Sequence, residues 1–367
     1  MESRVANLGD NVQYWGILEL YRQIGVPEAD IHRISIYDLP FYEGDDLLVP
    51  MNSFFYDEYC TMFPPSPDIY PLFFGFHASP PEQSRLFDYI DYYKLFEPVG
   101  CRDHATCEAL RRRGVEAYVT GCASLALPRR PEGTYEKIFL VDLRPDLEKY
   151  LPRFLTEVAE RVNHLVPIME YPMSPAEVQR IDDIAQKTFA RYREEAALVI
   201  TNRLHAALPC CAMGIPTILG AGSATSIDDT HRYSWVYEIV PPSRSEDLAR
   251  LSLPPPPTQP QYVDFIENKK MEMRENFAKA VNQAVEKHKR DFAASRSIIL
   301  KAHEKFQRHY RDDVHKVLFQ CQNFAKQHMA DSVALKCSEQ RLEQLSRSRW
   351  RKLGRKLGIV KSLPWET

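Results

Sequence analysis

The stretch LVITNRLHAALPCCAMGIPTIL, residues 198–219, decides the fold of this chain. Its apolar run 198–201 predicts a buried strand, and residues 204–213 predict a helix that a Gly-Pro break separates from a second strand. A strand, a helix and a strand in this order are typical of a parallel sheet. The sequence therefore predicts an α/β protein in which the turn TNRLH stands at the edge of the sheet.

That turn carries two side chains suited to anion chemistry. Ligands of open parallel sheets bind at the carboxyl ends of the strands, and the first amides of a helix attract anions. Arg203 supplies a guanidinium that can hold a carboxylate or a phosphate through two hydrogen bonds. His205 supplies a proton that moves near neutral pH. The turn therefore predicts a site for an anionic substrate.

Composition excludes several classes of protein. The chain has 367 residues, a hydrophobic fraction of 44% and a formal net charge of -3, which favours a globular protein of two domains and gives no argument for nucleic-acid binding. No apolar run is long enough to span a bilayer and no signal peptide is visible, so a cytoplasmic location is expected. Because no export signal is visible, we expect the 8 cysteines to be reduced thiols, and because they lack metal-ligand spacing we expect no structural metal.

Strand-like and helix-like patterns alternate through most of the chain. They predict two Rossmann-like domains, residues 1–133 and residues 134–250, joined by a turn-rich segment. In the second domain the pattern predicts one helix over residues 146–162 and a strand over residues 237–240 that completes the sheet.

Beyond the second domain the composition changes. A proline-rich linker is predicted over residues 251–262 and a helical extension over residues 263–345. The first half of the extension is expected to pack on the domains, whereas near-heptad spacing in the second half favours a coiled coil, with a partner helix or in a homo-oligomer. The tail, residues 346–367, begins with a basic amphipathic segment, 346–361, that either contacts the inner face of a membrane peripherally or is solvated.

Three residues at other turns are further candidates. Asp10 begins the first predicted helix, where it either caps the helix or accepts a proton. His77 closes an apolar run, where it is either a buried polar neighbour or a base. Arg102 opens another predicted helix, where a cation opposes the helix dipole unless it pairs with an acid such as Asp103.

Six segments, taken in order, resemble the polysaccharide pyruvyl transferase family. The turn Arg203-Leu204-His205, with the GIP segment after it, is the most specific of the matches, and the helical extension lies outside the resemblance. The segments are NLGDNVQ (7–13), FFGFH (73–77), GCRDHAT (100–106), VTGCASLAL (119–127), VDLR (141–144) and TNRLHAALPCCAMGIPTI (201–218).

The resemblance implies two Rossmann-like domains similar to those of GT-B glycosyltransferases, with the acceptor on the side of residues 1–133 and the donor on the side of residues 134–250. It implies that phosphoenolpyruvate is the co-substrate, with no other cofactor and no metal. The pyruvyl group would pass to a hexose of a surface polysaccharide, or of its lipid-linked precursor, and form a ketal. Because six residues precede Asn7, the first strand is expected to be very short or missing.

The resemblance also assigns roles to residues. Arg203 and Leu204 are expected to bind the donor together with Arg144, and we add Arg102 as a fourth donor-binding candidate. In the catalytic hypothesis, His205 protonates carbon 3 of the enol, and Asp10 or His77 accepts a proton from the sugar hydroxyl.

Two other functions fit the same sequence. A GT-B glycosyltransferase would use the cleft for a nucleotide sugar, with the basic residues on the diphosphate. A scaffold or regulator of a glycan-assembly complex would act through the helical extension and would need no turnover.

Overall fold

The computed structural model of the protein describes residues 5–52, 54–55, 62–79, 83–170, 173–221, 231–251 and 260–327. Parallel strands alternate with helices, which confirms the predicted α/β class. The strands are β1 (Val5–Asn7), β2 (Leu47–Pro50), β3 (Phe54–Phe55), β4 (Ile69–Leu72), β5 (His77–Ala78), β6 (Val99–Cys101), β7 (Ala117–Val119), β8 (Lys137–Val141), β9 (Glu160–Val162), β10 (Leu165–Pro167), β11 (Ala196–Thr201), β12 (Thr217–Gly220) and β13 (Pro242–Ser243). The helices are α1 (Gly9–Gln23), α2 (Gln83–Leu86), α3 (Ile90–Leu95), α4 (His104–Arg111), α5 (Pro145–Glu148), α6 (Arg153–Thr156), α7 (Pro175–Glu195), α8 (Leu204–Ala212), α9 (Val236–Ile239), α10 (Ser245–Ala249) and α11 (Pro260–Gln327).

Five parallel strands of the second half form one sheet, in the order β13-β12-β11-β8-β9. Its central strand, β11, is buried at nearly every residue, as a parallel strand covered on both faces should be. Because these strands run in the same direction, the carboxyl ends of β8, β11 and β12 share one edge of the sheet. The turn that precedes α8 stands at that edge, as predicted.

Two predictions for this half are wrong. Residues 237–240 do not complete the sheet, because Val236 and Ile239, three residues apart, form the buried face of helix α9, and β13 supplies the edge strand instead. The helix predicted over residues 146–162 is broken into α5, α6 and strand β9. Pro152 separates the two short helices, because proline has no N–H to continue the first and is well suited to begin the second.

The first half holds the parallel strand pairs β2–β4, β3–β5 and β6–β7. A parallel bridge between Phe76 and Cys101 places the segment after β4 beside β6. The core around these strands is rich in aromatic rings, such as the stacked pair Phe63 and Tyr93 (centroids 5.3 Å apart). His77 and Arg102 therefore follow neighbouring strand segments.

Strand β1 and helix α1 connect the two halves. The first strand is short, as expected, and pairs antiparallel with β10. Val12 of α1 lies in an apolar cluster with Phe139 of β8, and Gly16 approaches Ala123 so closely that a Cβ atom would lie 2.1 Å from the Ala123 carbonyl oxygen. This packing places Asp10, at the start of α1, beside the second half.

The predicted helical extension is one helix, α11, through the last described residue. Phe277 in its first half is fully buried in the core of the first half of the chain. Phe306 and Tyr310 are also buried, because they pack with Met62. The near-heptad spacing thus serves packing on the same chain at these positions, and self-association stays a prediction.

The remaining predictions for the C-terminal part fall outside the described residues. These are most of the proline-rich linker (252–259), the end of the helical extension (328–345) and the tail 346–367 with its basic segment. No described helix has both the length and the apolar character needed to cross a membrane.

Candidate active site

Three strand ends are tied together at the edge of the five-stranded sheet. Asn202, after β11, accepts a hydrogen bond from the backbone N–H of Arg144, which follows β8 (2.9 Å). The Asn202 amide also donates to the carbonyl oxygen of Gly220 at the end of β12 (3.0 Å). Asn202 therefore holds the turn that carries Arg144 against the turn that carries Arg203.

Arg203 is the N-cap of α8 and is held by Asp142. Its Nε donates to Asp142 Oδ2 (2.9 Å), and its backbone N–H donates to Thr201 Oγ1 (2.9 Å). The side chain is 32% exposed. Among the described residues Asp142 is the one side chain that the guanidinium of Arg203 hydrogen-bonds, so its two terminal nitrogens are available to an anion.

His205 lies in the first turn of α8, between Asp10 and Cys122. Its Nδ1 is 3.8 Å from Asp10 Oδ1, and its Nε2 is 3.7 Å from Cys122 Sγ. Only a glycine fits at position 9, because a Cβ atom there would lie 2.6 Å from the Cβ of His205. The structure therefore brings Asp10 and His205 together, although they are far apart in sequence, and adds a thiol that the sequence analysis missed.

Leu204 and Arg144 contribute to the site in other ways. The Leu204 side chain is 3% exposed and packs in the core, so this residue can reach a ligand only through its backbone amide. Arg144 is the N-cap of α5, and its Nε and Nη2 donate to the two carboxylate oxygens of Asp146 (3.0 and 2.8 Å). This pair is exposed, with Asp146 at 60%.

The charges of the site shift the pKa of both candidate proton carriers. Burial, followed by the charges of Arg102 and Arg232, lowers the pKa of His205 well below its usual value, so the free imidazole is neutral at pH 7. The Asp10 side chain is 65% exposed, yet loss of solvation near its carboxyl group raises its pKa to about 6 against the opposing charges of Arg102, Arg232 and Arg203. Three guanidinium groups therefore act on one imidazole and one carboxyl group.

Arg102 and Arg232 reach this cluster from different parts of the chain. Arg102 was predicted, and its side chain is 3% exposed, with Nη1 donating to Gln13 Oε1 of α1 (3.3 Å). Arg232 was missed, because it follows no predicted strand and nothing near it in the sequence distinguishes it from a solvated arginine. Its neighbour Tyr233 fixes this segment to the site, since the phenol donates to the Asn202 carbonyl (2.8 Å).

His77 lies in the interior. Its side chain is fully buried, and Nδ1 is hydrogen-bonded to Asp103 Oδ2. Asp103 is the N-cap of α4 and accepts from the backbone N–H of Thr106 (2.8 Å). Burial would raise the pKa of Asp103, but its hydrogen bond with His77 and the charge of that ring hold it below the usual value. His77 therefore belongs to a buried pair beside Arg102.

His164 is a further residue of the site that the sequence analysis missed. Its backbone N–H donates to Asp142 Oδ2 (3.1 Å), the oxygen that also accepts from Arg203. The ring is fully buried against Tyr192, whose hydroxyl lies 2.9 Å from Nε2, and burial lowers the pKa of His164 to about 4. A single histidine between two short strands carries no sequence signal that separates this position from an ordinary buried one.

Metal ligands are not grouped in the part of the chain that the structure describes. No set of three or more histidine, cysteine, aspartate or glutamate side chains could hold a metal ion there. Five cysteines of the described residues are buried free thiols: Cys101, Cys107, Cys122, Cys210 and Cys211.

Comparison with known proteins gives one finding. The family model described as polysaccharide pyruvyl transferase matches residues 7–220, from the β1–α1 turn to the end of β12. Searches of curated proteins and of solved structures returned no match. The matched residues cover more than half of the chain and include the turns that carry Asp10, Arg102, Arg144 and Arg203. The chain belongs to the polysaccharide pyruvyl transferase family.

Proposed function

We propose that the chain transfers the pyruvyl group of phosphoenolpyruvate to a hexose of a surface polysaccharide or of its precursor, forms a cyclic ketal and releases phosphate. Family membership makes it a pyruvyl transferase that acts on polysaccharide. The observation that supports this donor is the set of three guanidinium groups, of Arg102, Arg203 and Arg232, whose charges act on His205 and Asp10. Phosphoenolpyruvate carries a phosphate and a carboxylate on one carbon and so matches a compact cationic site.

Donor binding would use the edge of the five-stranded sheet. The terminal nitrogens of Arg203 and the first amides of α8, that of Leu204 included, would hold one anionic group. Arg144 would hold the other after it exchanges Asp146 for the donor, and the pair is exposed enough for this exchange to cost little. Arg102 is buried, so its contribution would be electrostatic.

Proton transfer would run between His205 and Asp10. A bound trianion would offset the arginine charges and raise the pKa of His205, so that the imidazole takes up a proton and delivers it to carbon 3 of the enol. The first sugar hydroxyl would add to carbon 2 and pass its proton to Asp10, 3.8 Å from His205. Phosphate would leave, and attack by the second hydroxyl would close the ketal. Of the two hydroxyl protons, one replaces the proton given to carbon 3 and the other leaves on phosphate.

His77 would then act indirectly. Its full burial and its hydrogen bond to Asp103 favour a role in fixing the turn at Arg102 over direct contact with the sugar. We therefore assign the acceptor base to Asp10. The chemistry proposed here uses phosphoenolpyruvate as co-substrate and no other cofactor.

The proposed architecture is a GT-B-like pair of domains, residues 1–133 on the acceptor side and residues 134–250 on the donor side. Parallel strands in both halves and the fusion of the halves through β1 and α1 are compatible with it. A lipid-linked acceptor, peripheral membrane contact through residues 346–361 and a homo-oligomer through α11 are parts of the same proposal. Vesicle sedimentation of the full chain and of a chain ending at residue 345 would test the membrane contact.

The experiment that tests the function uses the purified full chain, phosphoenolpyruvate and a panel of hexosides. We expect release of phosphate together with a product whose mass equals acceptor plus pyruvate minus water. We also expect phosphoenolpyruvate, and not a nucleotide sugar, to raise the melting temperature, because a ligand that binds the folded state stabilises it. Stabilisation by nucleotide sugars alone would support the glycosyltransferase, and no response to either would support the scaffold.

A further inference from the structure

Asp142 has an unusual backbone conformation at the edge of the sheet. It follows the last residue of β8 and has φ 44°, in the left-handed region. Among the described residues it is the one non-glycine residue with positive φ. Aspartate tolerates this region better than most residues, but the conformation is still uncommon and has to be held by its surroundings. The surrounding structure therefore holds Asp142 in an unfavourable backbone conformation that sets the direction of its side chain.

The carboxylate that this turn places makes two hydrogen bonds through one oxygen. Asp142 Oδ2 accepts from Nε of Arg203 (2.9 Å) and from the backbone N–H of His164 (3.1 Å). The Asp142 side chain is 15% exposed, against 32% for Arg203. The contact with Arg203 thus uses the inner nitrogen of the guanidinium and is shielded from water on most sides. Such a contact limits rotation of the guanidinium and leaves both terminal nitrogens for another anion.

We propose that Asp142 is a positioning residue that fixes the Arg203 guanidinium for the donor. The inference rests on the proposed function, since it takes phosphoenolpyruvate as the anion that Arg203 binds. It makes a prediction opposite in sign to that of simple electrostatics. Removing a negative charge beside a cationic site should tighten anion binding. Loss of positioning should weaken it, because a mobile guanidinium must be ordered when the donor binds.

The first test is the pair of variants Asp142→Asn and Asp142→Gly. Asparagine and glycine both tolerate the left-handed conformation, so the turn should survive. We expect the KM for phosphoenolpyruvate to rise roughly tenfold or more in both, with a smaller change in kcat, because the loss of a charged hydrogen bond is felt at the donor. The matched control is Asp183→Asn on the exposed face of α7, which should behave like wild type.

The second test is a double-mutant cycle with Arg203→Ala. A positioning role acts through Arg203, so Asp142→Asn should have little further effect on the KM in that background. A merely structural role in the β8–α5 turn, through His164, would persist there. An unchanged or lowered KM in Asp142→Asn, or an equal effect with and without Arg203, would overturn the proposal.

The third test needs no ligand. In the full chain labelled with ¹⁵N-arginine, the Nε–Hε resonance of Arg203 should exchange slowly with solvent in the wild type and rapidly in Asp142→Gly, because glycine removes the acceptor whereas asparagine keeps an amide oxygen. The Arg203→Ala variant assigns the signal. If phosphoenolpyruvate neither reacts with nor stabilises the wild type, the proposed function fails. The exchange rate of this resonance then still tests whether Asp142 fixes the Arg203 guanidinium. Slow exchange in both proteins would contradict the positioning role.

Discussion

Two strand-to-helix turns at the same edge of the sheet carry an arginine in the same local position. Arg203 is the N-cap of α8 and Arg144 is the N-cap of α5, both with extended backbone, and both side chains are 32% exposed. They differ in the aspartate that accompanies them. Asp142 is 15% exposed and takes one nitrogen of Arg203, whereas Asp146 is 60% exposed and takes two nitrogens of Arg144.

We infer from this difference that the affinity of each arginine for an anion depends more on its aspartate partner than on its own exposure. The pair of Arg144 with Asp146 is exposed to solvent and contributes little to stability, so a donor can displace Asp146. The Arg203 contact is more shielded and leaves the two terminal nitrogens of the guanidinium open, so a donor would bind there without displacing Asp142. We therefore propose that Arg203 is a preformed ligand of the donor and that Arg144 is recruited when the donor binds.

The largest expected effect is that of His205→Asn on the turn before α8. General acid–base catalysis typically contributes 10²- to 10⁴-fold, so kcat should fall by about a thousandfold. Donor affinity should change little, because the arginines and the helix amides remain. Steady-state kinetics and calorimetric titration with phosphoenolpyruvate would separate the two quantities. Turnover within tenfold of wild type would remove His205 from the proton-transfer step.

The next largest effects are the losses of kcat/KM expected for Arg203→Lys and Arg144→Lys. Lysine keeps the charge but cannot donate through a planar fork, so Arg203→Lys should lower kcat/KM for phosphoenolpyruvate roughly 10- to 100-fold. Arg144→Lys should lower kcat/KM less, by about threefold to tenfold. Arg144 must break its ion pair with Asp146 before it binds the donor, so its net contribution to binding is smaller. The same kinetic assay serves both variants. A larger loss at Arg144 than at Arg203 would invert the comparison.

A pH-dependent effect is expected at Asp10, above the turn of Arg203. With its pKa raised to about 6, Asp10 is ionised and able to act as a base only above that pH, so kcat/KM should fall as the pH drops below 6. The ratio of wild type to Asp10→Asn removes the titration of the donor itself and should rise through about pH 6. A ratio that is flat from pH 5 to pH 8 would contradict the role of Asp10.

Asp10→Asn should lower activity above pH 6 but raise the free energy of unfolding there. A carboxyl group whose folded pKa is raised from 3.8 to about 6 destabilises the folded state once the pH exceeds these values. Asp10→Asn should therefore be more stable than wild type at pH 8 and equally stable near pH 3. Chemical denaturation at the two pH values would measure the difference.

The smallest effect is expected for Asp146→Asn. Loss of this exposed partner frees Arg144, so the KM for phosphoenolpyruvate should fall slightly, by no more than about threefold. The variant matches Asp142→Asn in chemistry and should differ from it in sign. A rise in KM as large as that of Asp142→Asn would show that Asp146 positions Arg144 as Asp142 positions Arg203.

The turn before α8 could be predicted because its signals are local. An apolar strand, a polar turn and a helix closed by a Gly-Pro break follow one another, and Arg203 and His205 fall at fixed places in that order. Pro152 is a local signal as well, but the prediction of one helix over residues 146–162 does not take it into account.

Other features depend on contacts between distant segments. Arg232 reaches the site through the hydrogen bond of Tyr233 to Asn202, and no local pattern indicates that contact. The apolar residues of α11 predict a covered face but not what covers it, and Phe306 and Tyr310 are covered by the same chain. The left-handed turn at Asp142 depends on His164 and Arg203, which come later in the chain.

The most direct test of the account is a crystal structure of the full chain with phosphoenolpyruvate bound. We expect the donor to lie beside His205, with the terminal nitrogens of Arg203 on one anionic group, the contact of Nε with Asp142 intact, and Arg144 turned from Asp146 to the other group. A donor bound away from Arg203 and His205 would contradict the central claim. Retention of the Arg144–Asp146 pair in a complex at this site would contradict the distinction between the two turns.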